Sequence, residues 1–243
     1  NSISVSEKNS KLVNKITSLE SKVLELESQY NVLNTKYNSL KKQQSYSINS
    51  SNSYNFPLIN QYPKYQSGCE SVALTMLLRY YGINISPDSV ISNLAKESLP
   101  YYENNTRFGG NPEMGFVGNP YTSASYGVYE RPIGEVANMY KSGIQIKNNY
   151  SFQEVLNLVN SGHPVLVWTS MGLSIPYISD SWVYKPTMEK ISWKANEHAV
   201  VVISVQGNNV VIADPMGGQI KSYSISLFES RYNYYGRKAL YYL

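Results

Sequence analysis

The sequence predicts an α+β domain preceded by a coiled-coil helix. An apolar heptad repeat occupies the first 45 residues, and a polar Ser/Asn run follows it. In the remainder, segments with helical periodicity come first and segments typical of strands come later, which favours α+β over alternating βαβ order. We therefore predict a coiled-coil helix over 1–45, a linker over 46–56 and an α+β domain over 57–243.

Composition excludes several classes of protein. At 243 residues, of which 42% are apolar, the chain can form one full-sized domain with a real core plus an appendage. The net charge of +4 is spread out, with no basic-aromatic stripe, so nucleic-acid binding is not expected. No run reaches the roughly 18 apolar residues of a membrane span. Residue 1 is Asn rather than Met, which indicates processing or truncation upstream.

The N-terminal segment contains no Pro or Gly, and its apolar residues alternate four and three apart. Ile and Val at early a positions with Leu at every d position favour two parallel strands, whereas Tyr at two later a positions leaves a trimer possible. A single amphipathic helix packed on the domain is the alternative. The residues of this a/d seam are Leu12, Ile16, Leu19, Val23, Leu26, Tyr30, Leu33, Tyr37 and Leu40.

Charges beside the seam also favour parallel pairing. In a parallel pair, Lys15 at g meets Glu20 at e of the other helix, and Lys22 meets Glu27 in the same way. An antiparallel pair would place Lys against Lys. We therefore predict a homodimer, or a trimer, formed through residues 9–43.

Within 57–243, local signals define the elements in order. A helix with a broad apolar face begins near Cys69 and ends at Gly82, and Ser86-Pro87-Asp88 begins a second helix. Residues 98–130 are rich in Gly, Tyr, Asn and Pro, so we expect a long, partly ordered loop region there, of the kind that is usually functional. Two more helices are expected at about 132–142 and 151–160. The predicted strands are Val165–Thr169, Ala199–Val205, Val210–Ala213 and Ala239–Leu243.

Cys69 is the only cysteine, so it cannot form an intrachain disulfide. Ser67 and Glu70 match the S-x-x-E capping box, which would place Cys69 in the first turn of a helix. The positive end of the helix dipole lowers a thiol pKa and favours the nucleophilic thiolate. A buried, inert cysteine is the equally acceptable alternative at this point.

A cysteine nucleophile needs a base, and the chain has two histidines. His163 lies between Gly162 and Pro164, in a turn that looks like an exposed connector. His198 begins an apolar strand, where it can face a cleft while the strand holds it rigidly. We therefore expect His198 to be the functional histidine.

Asp214 is the candidate for the group that orients His198. A three-residue turn at 206–208 would place His198 opposite Met216 and leave Asp214 as its diagonal neighbour on the same face. A two-residue turn would move Asp214 to the other face. A role for Asp214 therefore predicts an odd-length turn or a β-bulge; otherwise Asp214 is an ordinary turn residue before Pro215.

Acyl transfer also needs donors to the developing oxyanion. The backbone N–H of Cys69 is one candidate, and an upstream side-chain amide could be the second. Gln66 is only three residues from Cys69 and would need a tight fold-back, whereas Gln61 has room to reach.

Four short stretches carry a family resemblance: Gln61-Tyr62-Pro63, Gly68-Cys69-Glu70-Ser71, His198-Ala199-Val200-Val201-Val202 and Ala213-Asp214-Pro215. In this order they resemble papain-like cysteine peptidases related to the double-glycine, bacteriocin-processing peptidases, with the stand-alone bacterial members nearest in kind. The resemblance covers about 57–243. It implies a papain-like fold in which a helical half carries the cysteine, an antiparallel sheet carries the histidine, and the cleft lies between them.

The resemblance also implies roles and surroundings. Cys69 would be the nucleophile, His198 the general base and acid, Asp214 the orienting group and Gln61 the oxyanion donor, with a peptide or protein as substrate. We expect no cofactor or metal, and an extracellular or cell-envelope location in a bacterium. The same triad would also serve an amidase or acyltransferase acting on cell-wall peptides. A non-enzymatic coiled-coil surface protein is the further alternative.

Overall fold

The computed structural model describes residues 4–46 and 55–243. It separates into two units, one formed by the N-terminal helix and the other by the rest of the chain. Most of the predicted linker, residues 47–54, lies outside the described residues. No helix in the described ranges is both long enough and apolar enough to cross a membrane.

The first unit is the helix α1 (Val5–Tyr46). Its N-terminus is capped reciprocally: Ser4 Oγ accepts the N–H of Glu7, and the Glu7 carboxylate accepts the N–H of Ser4. Along the a/d seam from Leu12 to Tyr37, every side chain is between 52% and 67% exposed. The predicted long helix is present, and its assembly with a second copy stays a prediction.

The second unit contains five α-helices among its described residues. Serine side chains cap three of them, and one of these caps, Ser151 with Glu154, is a full capping box. The helices are α2 (Cys69–Tyr80), α3 (Pro87–Asn93), α4 (Glu130–Tyr140), α5 (Phe152–Asn160) and α6 (Ile225–Tyr234). The first four lie where the sequence predicts helices, and α6 is an addition.

Twelve strands lie among the described residues of the second unit. They are β1 (Lys96–Glu97), β2 (Tyr101–Glu103), β3 (Thr106–Phe108), β4 (Phe116–Val117), β5 (Gln145–Lys147), β6 (Val165–Ser170), β7 (Ile178–Tyr184), β8 (Glu189–Lys194), β9 (Glu197–Gln206), β10 (Asn209–Asp214), β11 (Gln219–Ser224) and β12 (Ala239–Tyr241). The main sheet has the order β11-β10-β9-β6-β12-β5, and all of its pairs are antiparallel. The expected α+β fold is confirmed.

The segment 98–130 is more regular than a loop. Its strands β2 and β3 join β7 and β8 in a four-stranded sheet, while β4 pairs with β1. Contacts distant in sequence stabilise this region: Phe108 pairs with Val183, and Trp182 Nε1 donates to the Gly110 carbonyl at 2.7 Å. The segment is therefore more ordered than expected, because β3 is fixed by a partner strand remote in sequence, β7.

The main sheet is covered on both faces, which explains the continuous apolar run of β9. Ala199 and Val201 pack with α2 in one core, while Val200 and Val202 pack with α5 and α6 in the other. Because side chains alternate along a strand, each core receives every second residue. The sheet is thus held rigidly between helices, and the start of β9 lies beside the start of α2.

Candidate active site

Cys69 is the first residue of α2, but the predicted capping box is wrong. The N-cap is Gly68, and no side chain caps the helix. Ser67 Oγ instead donates to the Thr122 carbonyl at 2.6 Å, and Glu70 Oε1 accepts the N–H of Val128 at 2.8 Å. Both residues thus connect the start of α2 to segment 122–128. The local pattern predicts the helix start correctly and its side-chain partners incorrectly.

The Cys69 thiol lies in a buried and acidic environment. It donates to Glu70 Oε2 at 3.4 Å, and the Ala199 N–H of β9 faces the sulphur. Burial first, and then the nearby carboxyls of Glu70 and Glu197, raise the pKa of Cys69 well above its ordinary value. The expected lowering of this pKa is therefore wrong for this arrangement, since burial and the two carboxyls raise it.

His198 and Asp214 are in direct contact, and both are almost fully buried. His198 Nε2 lies 2.6 Å from Asp214 Oδ1, which also accepts the N–H of Met216 at 2.8 Å. Lys221 Nζ lies 2.6 Å from Asp214 Oδ2. Burial by itself would raise the pKa of Asp214, but the bonds from His198, Lys221 and Met216 lower it to about 2. Asp214 is therefore held as a carboxylate in direct contact with the His198 ring.

A β-bulge brings this pair into register. The turn between β9 and β10 has two residues, Gly207 and Asn208, because Asn209 pairs with Gln206. Val211 then pairs with Ser204 but Ile212 pairs with Val202, so Ile203 is an extra residue on β9. This confirms the prediction that an odd-length turn or a bulge is needed to place Asp214 on the face of His198.

Glu197, which has a carboxyl oxygen within 4.8 Å of the Cys69 sulphur, immediately precedes His198. These two residues are consecutive on β9, so their side chains point to opposite faces, while the sulphur meets the backbone N–H of the next residue, Ala199. With His198 Nε2 bonded to Asp214, Nδ1 is the ring nitrogen left to receive a thiol proton. In this structure the thiol is bonded to Glu70, and it makes no hydrogen bond to His198.

Gln61 is buried beside the segment that leads into Cys69. Its Nε2 donates to the carbonyls of Tyr65 and Gln66 at 3.3 and 3.4 Å. Its backbone N–H donates to the Pro215 carbonyl at 2.9 Å, so Gln61 is anchored next to the turn after Asp214. The Gln66 side chain is exposed, and Gln61 is the amide that the fold directs inward.

The second histidine lies elsewhere. His163 is in the turn between α5 and β6, and its N–H donates to the Leu158 carbonyl. In the pairing of β6 with β9, Val165 lies opposite Val202, whereas Thr169 lies opposite His198. His163 therefore sits at the end of β6 far from His198, as expected for a connector.

Sequence reasoning missed three charged residues of the site: Glu70 as a thiol partner, Glu197 and Lys221. Glu70 directly follows Cys69, and Glu197 directly precedes His198. This adjacency is the one sequence signal that could have revealed the two carboxyls. The ligand atoms of Cys69, Glu70 and Glu197 all lie within 4.8 Å of one another. A cation could use such donors, but a small acidic cluster is not by itself evidence of an ion, so we assign no metal site.

The Peptidase C39-like family matches residues 53–240, which include every site residue described above. The chain belongs to this family. Uncharacterized protein YvpB of Bacillus subtilis is 27% identical over 180 residues, covering 73% of this chain and 70% of YvpB.

A solved C39-like structure gives the same result. A crystal structure from Bacillus anthracis, assigned to the C39-like peptidases, is 29% identical and superposes with a TM-score of 0.70. The match covers 79% of this chain and 96% of the other. The chain is thus of cysteine-peptidase type, with a C39-like fold.

Proposed function

We propose that this chain is a cysteine peptidase that uses Cys69 as nucleophile, His198 as general base and acid, and Asp214 to orient His198. The observation that carries the proposal is the buried His198–Asp214 contact of 2.6 Å beside the start of α2, where the only cysteine lies. Asp214 holds the His198 ring through the ring nitrogen Nε2. The other ring nitrogen, Nδ1, is then free to accept a proton from a thiol.

The reaction begins with a rotation of the Cys69 side chain. The thiol leaves Glu70 and gives its proton to His198 Nδ1, and the thiolate attacks the peptide carbonyl carbon. The imidazolium, stabilised by Asp214, then donates this proton to the departing amine, which leaves an acyl-enzyme. A water molecule, deprotonated by His198, releases the acid and restores the thiol.

The oxyanion that forms during attack needs nearby donors. The backbone N–H of Cys69 belongs to the first turn of α2, where N–H groups lack helical partners. The Gln61 amide lies beside the same segment and makes long bonds of 3.3 and 3.4 Å, which are weaker than usual and easily exchanged. We propose Gln61 as the second donor.

We also propose that the substrate is a peptide or protein and that the protein acts at the cell envelope or outside the cell. Support comes from the family's cysteine-peptidase type and the resemblance to stand-alone bacterial members. The residues that surround the site would set the choice of substrate, while Cys69 and His198 would supply the chemistry.

A peptide library tests the proposal. We expect the full chain to cleave a subset of peptides, as seen by mass spectrometry. Cys69→Ala and His198→Ala should lose at least about 1,000-fold in kcat/KM, because each removes a member of the reacting group. His163→Ala is the matched control and should remain active.

Equal cleavage by the wild type and Cys69→Ala would exclude a cysteine peptidase. Release of ammonia or transfer to an added amine, without cleavage of backbone peptide bonds, would instead identify an amidase or acyltransferase.

A further inference from the structure

Two acidic side chains close to the Cys69 thiol, those of Glu70 and Glu197, have no cationic partner among the described residues. Glu70 is fully buried and Glu197 is 7% exposed. Neither carboxyl forms an ion pair with Lys or Arg among the described residues. Two carboxylates in such a place cannot both stay ionised, because burial and mutual repulsion penalise the second charge.

The two carboxyls converge at Gly127. A Cβ placed on Gly127 would lie 2.5 Å from Glu70 Oε1 and 2.9 Å from Glu197 Oε2. Glu70 uses both oxygens as acceptors, from the Val128 N–H and the Cys69 thiol. Glu197 Oε1 is buried and has no partner. A proton on Glu197 would turn this carboxyl into a donor, and a carboxyl oxygen of Glu70 within 4.8 Å is the candidate acceptor.

We propose that Glu70 and Glu197 share one proton, and that this shared proton ties the Cys69 end of α2 to the His198 end of β9. Glu70 follows Cys69 and Glu197 precedes His198, so the bond joins the two segments that carry nucleophile and base. The two glutamates are positioning residues, and their effect on catalysis rests on the proposed function.

Loss of the shared proton would place two negative charges between α2 and β9 and push these ends apart. Burial raises the pKa of Glu70 to about 7, and burial together with Glu70 raises the pKa of Glu197 well above its ordinary value. The other titratable groups that face the pair are Cys69, Tyr129 and Tyr235, and each has a raised pKa. None of the three supplies a positive charge to replace the proton.

Because folding raises the pKa values of both glutamates, the stability of the fold decreases as the pH rises. The folded chain holds carboxyl protons that the unfolded chain releases near its ordinary pKa of about 4.5. Stability is therefore highest below that pH, and it falls as the pH rises through about 7 and beyond. Each proton involved lowers the folding equilibrium constant by up to about tenfold per pH unit.

Thermal unfolding of the full chain between pH 5 and pH 9 tests the pair. Glu197→Gln keeps the shape and can donate to Glu70, but it cannot ionise. We expect the melting temperature of the wild type and of the exposed control Glu135→Gln to fall in parallel with pH, and that of Glu197→Gln to fall less. Parallel curves for all three proteins would overturn the proposal.

Infrared spectroscopy provides a test that does not need the variant to fold. The wild type should show the C=O band of a protonated carboxyl at pH 7, which Glu197→Gln, if folded, should lose. Absence of this band in the wild type would overturn the proposal.

Kinetics tests the positioning role separately. If the chain cleaves peptides, the alkaline fall of kcat should move to higher pH in Glu197→Gln while KM stays unchanged. An unmoved alkaline limb would overturn this role. If the chain cleaves no peptide at all, the proposed function fails, whereas the unfolding and infrared results still decide whether the proton is shared.

Discussion

Three hydrogen bonds converge on the Asp214 carboxylate, from His198, Lys221 and the backbone of Met216. Lys221 lies on the neighbouring strand β11 and forms an ion pair with Asp214. Without it, the buried negative charge of Asp214 would have no cationic side chain of Lys or Arg beside it. A group whose pKa is lowered by folding stabilises the fold above its ordinary pKa. Lys221 thus lets a buried carboxylate remain ionised and keep the His198 ring in place.

We predict that Asp214→Asn lowers the free energy of unfolding at pH 7 by about 2 kcal/mol, because the pKa of Asp214 falls from 3.8 to about 2 on folding. The difference from the wild type should shrink as the pH falls from about 4 towards 2, where the wild-type carboxylate takes up a proton. Urea unfolding at several pH values measures this.

Asp88→Asn is the matched control for Asp214→Asn. Asp88 also pairs with a lysine, Lys64, but this pair is exposed to solvent. We expect a change of less than about 1 kcal/mol. An equally large loss in both variants would contradict the buried-charge explanation.

At the residue scale, the residues that could be predicted are those with a signal in the local sequence. Gln61, His198 and Asp214 could be chosen because of residue type, strand position and register. Lys221 could not, since it lies on a polar strand and its partner is defined only by the pairing of β10 with β11. The sequence identified Glu70 only as a helix-capping residue, which is the wrong contact. A capping motif and a tertiary contact look the same in sequence.

At the scale of elements, the strands that can be predicted from the sequence are those that are buried on both faces. The strands β6, β9 and β10 were predictable because they are apolar runs buried on both faces. The strands β7, β8 and β11 carry polar and half-exposed residues, so their pairing is visible only in three dimensions. The helix α6 has a Ser224 cap, but it follows β11 directly, with no turn residue to separate them.

The helix α6 offers a matched test of packing. Phe228 is fully buried and stacks on Phe152 of α5, with ring centroids 5.4 Å apart, whereas the adjacent Leu227 is 39% exposed. We expect Phe228→Ala to lower the free energy of unfolding by about 3–5 kcal/mol and Leu227→Ala by less than about 1 kcal/mol. Chemical denaturation of the two variants decides this, and similar losses would mean that α6 does not cover the sheet as described.

At the scale of the whole molecule, α1 is a long helix whose described side chains, residues 7–37, are all exposed. Its seam side chains are more than half exposed in a single chain, and burial of such a row against a second helix is the usual stabilising contact of coiled coils. We therefore propose that α1 joins two copies in parallel, with a trimer as the alternative. Such assembly would bring two peptidase units to one place.

Light scattering tests this assembly on the full chain. We expect twice the monomer mass for the wild type, and the monomer mass for Leu26→Glu, which places a charge at a d position. Leu24→Glu is the control: Leu24 is 67% exposed and lies at a b position, outside the seam. A monomeric wild type would exclude the coiled coil, whereas dissociation by both variants would show that the seam is misassigned.

The bulge at Ile203 has a consequence for how activity can be lost. His198 and Asp214 face each other only because β9 carries one residue more than β10 across that step. Deletion of Ile203 would leave every residue of the pair intact, yet it would turn one of the two side chains to the opposite face of the sheet. A single codon outside the His198–Asp214 pair therefore decides whether the two side chains can meet, although the sequence motifs stay the same.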